Sequence, residues 1–180
     1  MAKLLYSFTM SVDGFIAGAG GDMSWLRDHV GTPNPIAERL VPQIGALLIG
    51  ARTHRGDDPN RGTDKEGPFS GAWHGPMFVL THHAPDVPEQ GVTYVGDLDS
   101  AVAQAGAAAG DGYVNILGAD VAKQCLEAGT LDEILVFVAP VLLGDGTRMF
   151  HHPGGTNVKL ERIAESGAPN ATGIWLRVVR

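Results

Sequence analysis

The strongest constraint on this chain is a repeated switch of period along its length. Short apolar runs rich in β-branched residues alternate with segments that carry helix start and stop signals. The runs are Leu4 to Thr9, Ala46 to Ile49, Met77 to Leu80, Val92 to Val95, Tyr113 to Leu117 and Ile134 to Ala139. Most stop at Gly, Pro, Asp or Thr, as buried strands do. Ile174 to Val179 predicts a last strand. Between the runs, Asn34-Pro35 supplies an N-cap and a proline at the first helical position, opening a helix through about Gln43. Asp97 or Asp99 caps an alanine-rich helix that ends before Gly110, and Asp120 falls at the start of a helix that stops at Gly129. This alternation predicts an α/β fold in three layers, a central mostly parallel sheet with helices on both faces. A length of 180 residues suits a single domain over 1–180, and no repeat or linker divides it.

Charge and cysteine content narrow the function. The formal charge is −7, whereas general nucleic-acid binding draws on a basic surplus, so no nucleic-acid partner is expected. A local cationic cluster remains, because Arg52, Arg55, Arg61 and Lys65 fall in one short stretch. The single cysteine, Cys125, cannot form an internal disulfide, which predicts a reducing, cytoplasmic location. Its neighbours Val121, Ala122, Leu126 and Ala128 make it read as a small buried hydrophobe. No apolar run approaches the length of a membrane span, so no membrane partner is expected. Ala51 to Pro76 is rich in Gly, Asp, Pro and Arg and exceeds the roughly 12–15 residues beyond which a loop is usually functional or disordered. It reads as a binding loop with one short helix.

Several strand ends carry groups suited to chemistry. Ser11-Val12-Asp13-Gly14-Phe15-Ile16-Ala17-Gly18 follows the first strand, and its Asp13 has two readings. An aspartate before glycine caps its own turn, and an acid at a strand end also reaches the crevice of an α/β sheet. Ile49-Gly50-Ala51-Arg52-Thr53 offers backbone N–H groups, a hydroxyl and a guanidinium, a set that binds phosphate; its plain alternative is a solvated basic turn. Leu80-Thr81-His82-His83 ends another strand, and His151-His152 forms a second imidazole pair. Neighbours on an extended chain face apart and no H-x-x-x-H spacing occurs, so no metal site is expected. Asn115-Ile116-Leu117-Gly118-Ala119-Asp120-Val121 runs from strand through glycine into helix, which aims a helix N-terminus at an anion, although no G-x-G-x-x-G is present. Asp120 there is expected to cap the helix sideways. Asp132-Glu133 reads as a solvated turn, and Gly144 and Gly146 as an architectural turn after a buried strand.

In order, S-x-D-G-x-I-A, G-x-R-T, V-L-T-H, L-G-A-D-V-A, L-D-E-I and P-V-L-L-G-D-G resemble the dihydrofolate-reductase-like family over roughly residues 3 to 150. The branch they resemble is the reductase domain of the riboflavin-biosynthesis deaminase/reductases. The resemblance implies an NADPH-dependent oxidoreductase with a homodimeric assembly, Ile134 to Ala139 lying near the dimer interface. It places Gly50, Arg52 and Thr53 at the cofactor phosphates, and Leu80, Thr81 and His82 near the adenosine. It puts Leu117, Gly118, Ala119, Asp120 and Val121 under the pyrophosphate, and Ile16 and Ala17 over the nicotinamide. Asp13 and Trp25 fall beside the substrate, and Asp13 takes on a site role by this likeness. Two positions depart from the pattern. Leu117 stands where relatives have the first glycine of a pair whose bond is cis in dihydrofolate reductases, and a cis non-proline bond costs about 2.5–4 kcal/mol. Ala51 stands where relatives often have arginine.

The reaction implied is hydride transfer to a C=O or C=N bond of a small pterin-, pyrimidine- or flavin-precursor-like heterocycle, for which the protein orients the reactants and supplies a proton. Asp13 is the candidate acid, provided its pKa is raised. Asp28 is a second candidate, but its spacing from Trp25 does not suit folate reduction. Two rival readings are a non-catalytic NADP(H)-binding protein on the same fold and a metal-dependent hydrolase built on the histidine pairs.

Overall fold

The structure, a computed structural model, describes residues 1–29, 33–56 and 58–180. Its strands and helices follow in the order β1 (Lys3–Ser11), β2 (Phe15–Ala17), α1 (Pro35–Leu40), β3 (Ile44–Gly50), α2 (Ala51–His54), β4 (Met77–Leu80) and β5 (Val92–Val95), then α3 (Leu98–Ala109), β6 (Tyr113–Leu117), α4 (Ala119–Glu127), β7 (Glu133–Ala139), β8 (Thr147–Arg148), β9 (Leu160–Ala168) and β10 (Ala171–Val178). They gather into two compact units, each discontinuous in sequence. The first comprises Met1–Ser7, Gln43–Gly56 and Gly75–Glu133; the second comprises Phe8–Pro42, Asp57–His74 and Ile134–Arg180.

In the first unit the strand order is β5-β4-β3-β6-β1, and every pairing is parallel. Parallel strands are covered on both faces, which explains their unbroken apolar runs. Leu5, Leu47, Leu48, Val79, Val114 and Ile116 are fully buried. Asp97 caps α3, its Oδ1 accepting from Ser100 N at 2.8 Å, while Asp99 only occupies the first turn. α3 buries the stripe Ala101, Ala105 and Ala109, spaced one helical turn apart. Cys125 is buried on α4, and burial pushes its thiol up to about 11.

The acidic pair before β7 departs from expectation. Asp132 Oδ2 accepts from Leu4 N at 2.9 Å. Glu133 is buried and accepts from Lys3 Nζ at 2.9 Å and from the Tyr113 hydroxyl at 3.0 Å. This is a fastening between strands and not a solvated turn; the buried carboxylate is tolerated because both its oxygens are hydrogen-bonded. Burial first, and then the Glu133 carboxylate, push the Tyr113 phenol up to about 12.

In the second unit the order is β1-β7-β10-β9, closing on an antiparallel β9–β10 pair. A separate two-stranded antiparallel sheet joins β2 to β8. Asn34 caps α1 as expected, its Oδ1 accepting from Ile36 N at 3.1 Å. The helix stops at Leu40, earlier than the expected Gln43, and Val41–Gln43 continues as a 3-10 turn. Pro42 has no N–H to extend an α-helical ladder. The stretch expected as one binding loop is divided: residues 51–56 belong to the first unit and 58–74 to the second. The latter part is pinned from within by Asp58, whose Oδ1 accepts from Asn60 N and Oδ2 from Gly67 N, each at 2.7 Å. Trp73 anchors its end in the core. Among the described residues no helix is long and apolar enough to cross a membrane.

Candidate functional site

Within the first unit, β3 and β6 lie side by side and parallel, with Ile49 opposite Leu117. Each strand ends at a glycine and leads directly into a helix, Gly50 into α2 and Gly118 into α4. Gly118 has φ +111°, and a Cβ built there would lie 2.6 Å from Thr53 Oγ1. The position therefore excludes any side chain, on both conformational and steric grounds. A Cβ at Gly50 would lie 3.1 Å from Val121 Cγ2. Gly50, Thr53, Leu117, Gly118 and Val121 thus meet at one corner.

Among the described residues no side chain caps the N-terminus of α4, whose N-cap is Gly118, which leaves its first backbone N–H groups, those of Ala119, Asp120 and Val121, uncapped at this corner. The sideways cap expected of Asp120 is absent; its Oδ2 instead accepts from Gln124 Nε2 at 3.0 Å, along the helix surface. Arg52 and Thr53 are exposed, and Arg52 forms no ion pair with a described residue. No peptide bond among the described residues is cis, the Leu117–Gly118 bond included.

β4 pairs with β3 so that Leu80 lies opposite Gly50, bringing a third strand end alongside. Thr81 N donates to Val95 O at 2.9 Å. The Thr81 hydroxyl is engaged locally, donating to His83 O at 3.3 Å and accepting from His83 N at 3.1 Å. His82 is exposed at the turn. No group of three or more metal-type side chains comes together among the described residues.

At the far end of α2 lies a cluster that carries no local sequence signal. His54 Nε2–H donates to Glu89 Oε1 at 3.0 Å, and the Tyr94 hydroxyl donates to the same oxygen at 3.1 Å. The intervals of 35 and 5 residues match no helical or strand period.

In the second unit, Asp13 is fully engaged. Its Oδ1 accepts from Leu143 N at 3.1 Å and its Oδ2 from Gly144 N at 2.7 Å. The Ser11 hydroxyl, followed by the Gly144 and Leu143 amides, draws the carboxyl down to about 2. A proton donor needs the opposite shift. The carboxyl is thus drawn away from the raised pKa that the expected acid requires, and in this arrangement its two oxygens accept backbone amides. The contact extends on both sides: Val12 N donates to Val141 O at 2.9 Å, and Met149 N to Gly14 O at 3.0 Å. Arg148 Cζ sits 4.5 Å from the centre of the Phe15 ring. Ile16 and Ala17 lie in β2, and Gly146 packs so closely on the Ala17 carbonyl that a Cβ has no room. The Gly144–Gly146 turn is architectural, as read from sequence. Its partners in the 12–17 segment were not legible there.

Trp25 lies half-buried on a 3-10 turn, Ser24–Asp28. Its Nε1 is buried without a hydrogen-bond partner among the described residues, as is His29 Nδ1, and the two rings lie 6.0 Å apart. Asp28 is exposed, and its carbonyl accepts from Asn170 Nδ2 at 3.0 Å.

Residues 2–170 match the RibD C-terminal domain family. The chain is 26% identical over 161 residues to the riboflavin biosynthesis protein RibD of Corynebacterium ammoniagenes, covering 81% of this chain and 45% of that protein. The chain thus spans about half the length of this curated relative. A crystal structure from Shewanella sp. PV-4, provisionally described as a riboflavin biosynthesis protein, superposes with TM-score 0.77 at 25% identity, covering 100% of both chains. Dihydrofolate reductase from Enterococcus faecalis, complexed with NADP(H), superposes with TM-score 0.64 at 17% identity, covering 99% of this chain and 97% of that one. The last likeness carries the fold.

Proposed function

Because the chain belongs to the RibD C-terminal domain family, a family of oxidoreductase domains, we propose that it is a single NADPH-dependent reductase domain acting on a C=O or C=N bond of a small heterocycle of the pterin, pyrimidine or flavin-precursor class. The observation that carries this reading is the corner at Gly118: a glycine held at φ +111° against the Thr53 hydroxyl, at the uncapped start of α4. A missing side chain, a hydroxyl and free helix N–H groups together suit a pyrophosphate.

The residues fit such a cofactor. Gly50, Thr53, Leu117, Gly118 and the first turn of α4, Ala119 to Val121, would hold its pyrophosphate, and the exposed guanidinium of Arg52 its 2′-phosphate. Leu80, Thr81 and His82 would flank the adenosine. When bound, the nicotinamide supplies a hydride. Ile16 and Ala17 are assigned to cover that ring, and Trp25 and Asp13 to stand on the substrate side. Asp13 serves by holding the 143–144 turn, so the proton required by the reduced heteroatom comes from another group. A homodimer in the cytoplasm is part of the same proposal, and sedimentation of the purified protein tests the dimer.

Titration with NADPH followed by fluorescence, and then NADPH oxidation assays with pterin, pyrimidine and flavin-precursor panels, test the proposal. Saturable binding with turnover of one class is expected, and absence of NADPH binding overturns it. A second reading, cofactor binding without turnover, draws on the lowered pKa of Asp13, which removes the acid expected from sequence. Binding with no oxidation across all panels would establish that reading instead.

A further inference from the structure

His54, Glu89 and Tyr94 form a closed triangle within the first unit. Beside the two bonds to Glu89 Oε1, Tyr94 Oη lies 3.3 Å from His54 Nε2, and the two rings meet edge-on with centroids 5.9 Å apart. The His54 side chain is only 14% exposed, whereas that of Glu89 is 63% exposed, so an inner imidazole is held by an outer carboxylate. The hydrogen bond from His54, then that from Tyr94, keeps the Glu89 carboxyl below its ordinary range. The triangle thus retains its charge-assisted bonds at neutral pH.

The three residues come from segments that matter to the corner at Gly118. His54 ends α2, immediately after Arg52 and Thr53. Glu89 belongs to the connection between β4 and β5 that begins with Thr81 and His82, and Tyr94 lies on β5. α2 has only four residues. A helix that short does not hold its own direction, since a single turn is an unfavourable nucleus. Arg52 is carried on α2, so the course of that backbone sets the region its guanidinium can reach. Bidentate recognition of a phosphate demands that this direction be fixed.

We propose that the His54–Glu89–Tyr94 triangle is a positioning device that orients α2 and thereby sets the preference for NADPH over NADH through Arg52. This rests on the reductase reading above. None of the three is among the residues assigned to the cofactor above, so their effect is expected on the 2′-phosphate, with the dinucleotide common to both cofactors nearly untouched. A general loosening of the fold weakens both cofactors alike.

The test measures dissociation constants for NADPH and NADH by fluorescence, with melting curves, on the wild type and on His54→Leu, His54→Gln and Tyr94→Phe. His54→Leu is expected to weaken NADPH about tenfold while NADH changes less than about twofold. His54→Gln keeps an N–H for Glu89 and restores most of that loss. Tyr94→Phe, which removes one hydroxyl and little volume, costs NADPH about threefold. Should His54→Leu not fold, the other two variants decide. Equal weakening for both cofactors, or unchanged NADPH affinity in folded variants, overturns the proposal. Failure of the wild type to bind NADPH overturns the reductase reading itself and is seen before any variant is compared.

Discussion

The corner at Gly118 and the segment around Asp13 are both strand-end, glycine-bearing sites, yet they dispose of their polar groups in opposite ways. At the corner, the start of α4 is uncapped, Arg52 is exposed without an ion-pair partner among the described residues, and Gly118 brings its backbone against the Thr53 hydroxyl. Around Asp13 the groups are paired within the chain: both carboxylate oxygens accept backbone N–H groups, Arg148 lies on Phe15, and β2 is bonded to β8. The lesson is that an acid in a glycine-rich turn is not thereby a reactive acid. What separates a receiving site from a self-satisfied one is whether its donors and acceptors have partners in the chain.

The contrast can be broken most directly at Gly118. Gly118→Ala forces a carbon against Thr53 Oγ1 in a backbone region that costs roughly 1–3 kcal/mol for a side-chain-bearing residue. Melting should show that loss, and NADPH titration a drop in affinity of about tenfold or more. Unchanged affinity would mean that the corner receives nothing. A smaller effect is expected from Asp13→Asn, whose amide accepts from one of the two N–H groups and confronts the other with its own NH2. Hydrogen exchange across 141–149 should quicken and kcat fall, while NADPH affinity holds within about twofold and the pH profile keeps its shape. Disappearance of one limb of that profile would make Asp13 a proton donor and end the contrast.

The same carboxyl gives a sharper, gentler test by pH alone. Its pKa is lowered from 3.8 to about 2, so the stabilising contact is complete above the unfolded value and fades as pH falls through the folded one. The amide resonances of Leu143 and Gly144 should stay constant from neutrality to about pH 4 and shift with a midpoint near 2. A midpoint at or above 3.8 contradicts the bonding described. Least affected should be Asp120→Asn. That side chain lies along α4 on Gln124, and surface changes of this kind fall within about 0.5 kcal/mol. NADPH affinity should move less than about twofold; a larger gain would place Asp120 in the corner.

Legibility followed where the physics is local. β4, β5 and β6 begin and end where their apolar runs do; the middles of β4 and β6 are buried, as strands inside a parallel sheet are, and β5 at the edge buries only Val95. β9 was not anticipated, since its residues are mostly exposed and polar, and β2 and β8 are too short to establish a period. At the corner, glycine, threonine and arginine betray themselves by type and order. The partners of Asp13 lie 130 and 131 residues away, and those of His54 35 and 40, at separations where spacing says nothing. Glu133 misled for the same reason: beside Asp132 it reads as surface, and only Lys3 and Tyr113 make its burial possible.

The discontinuity of the two units bears on synthesis of the chain by the ribosome. The unit that carries the Gly118 corner has its last segment complete at Glu133, whereas the other also needs residues from Ile134 onward. The phosphate-binding candidates can therefore be assembled while the residues that hold Asp13 are still untranslated, and until then that aspartate has neither of its amide partners.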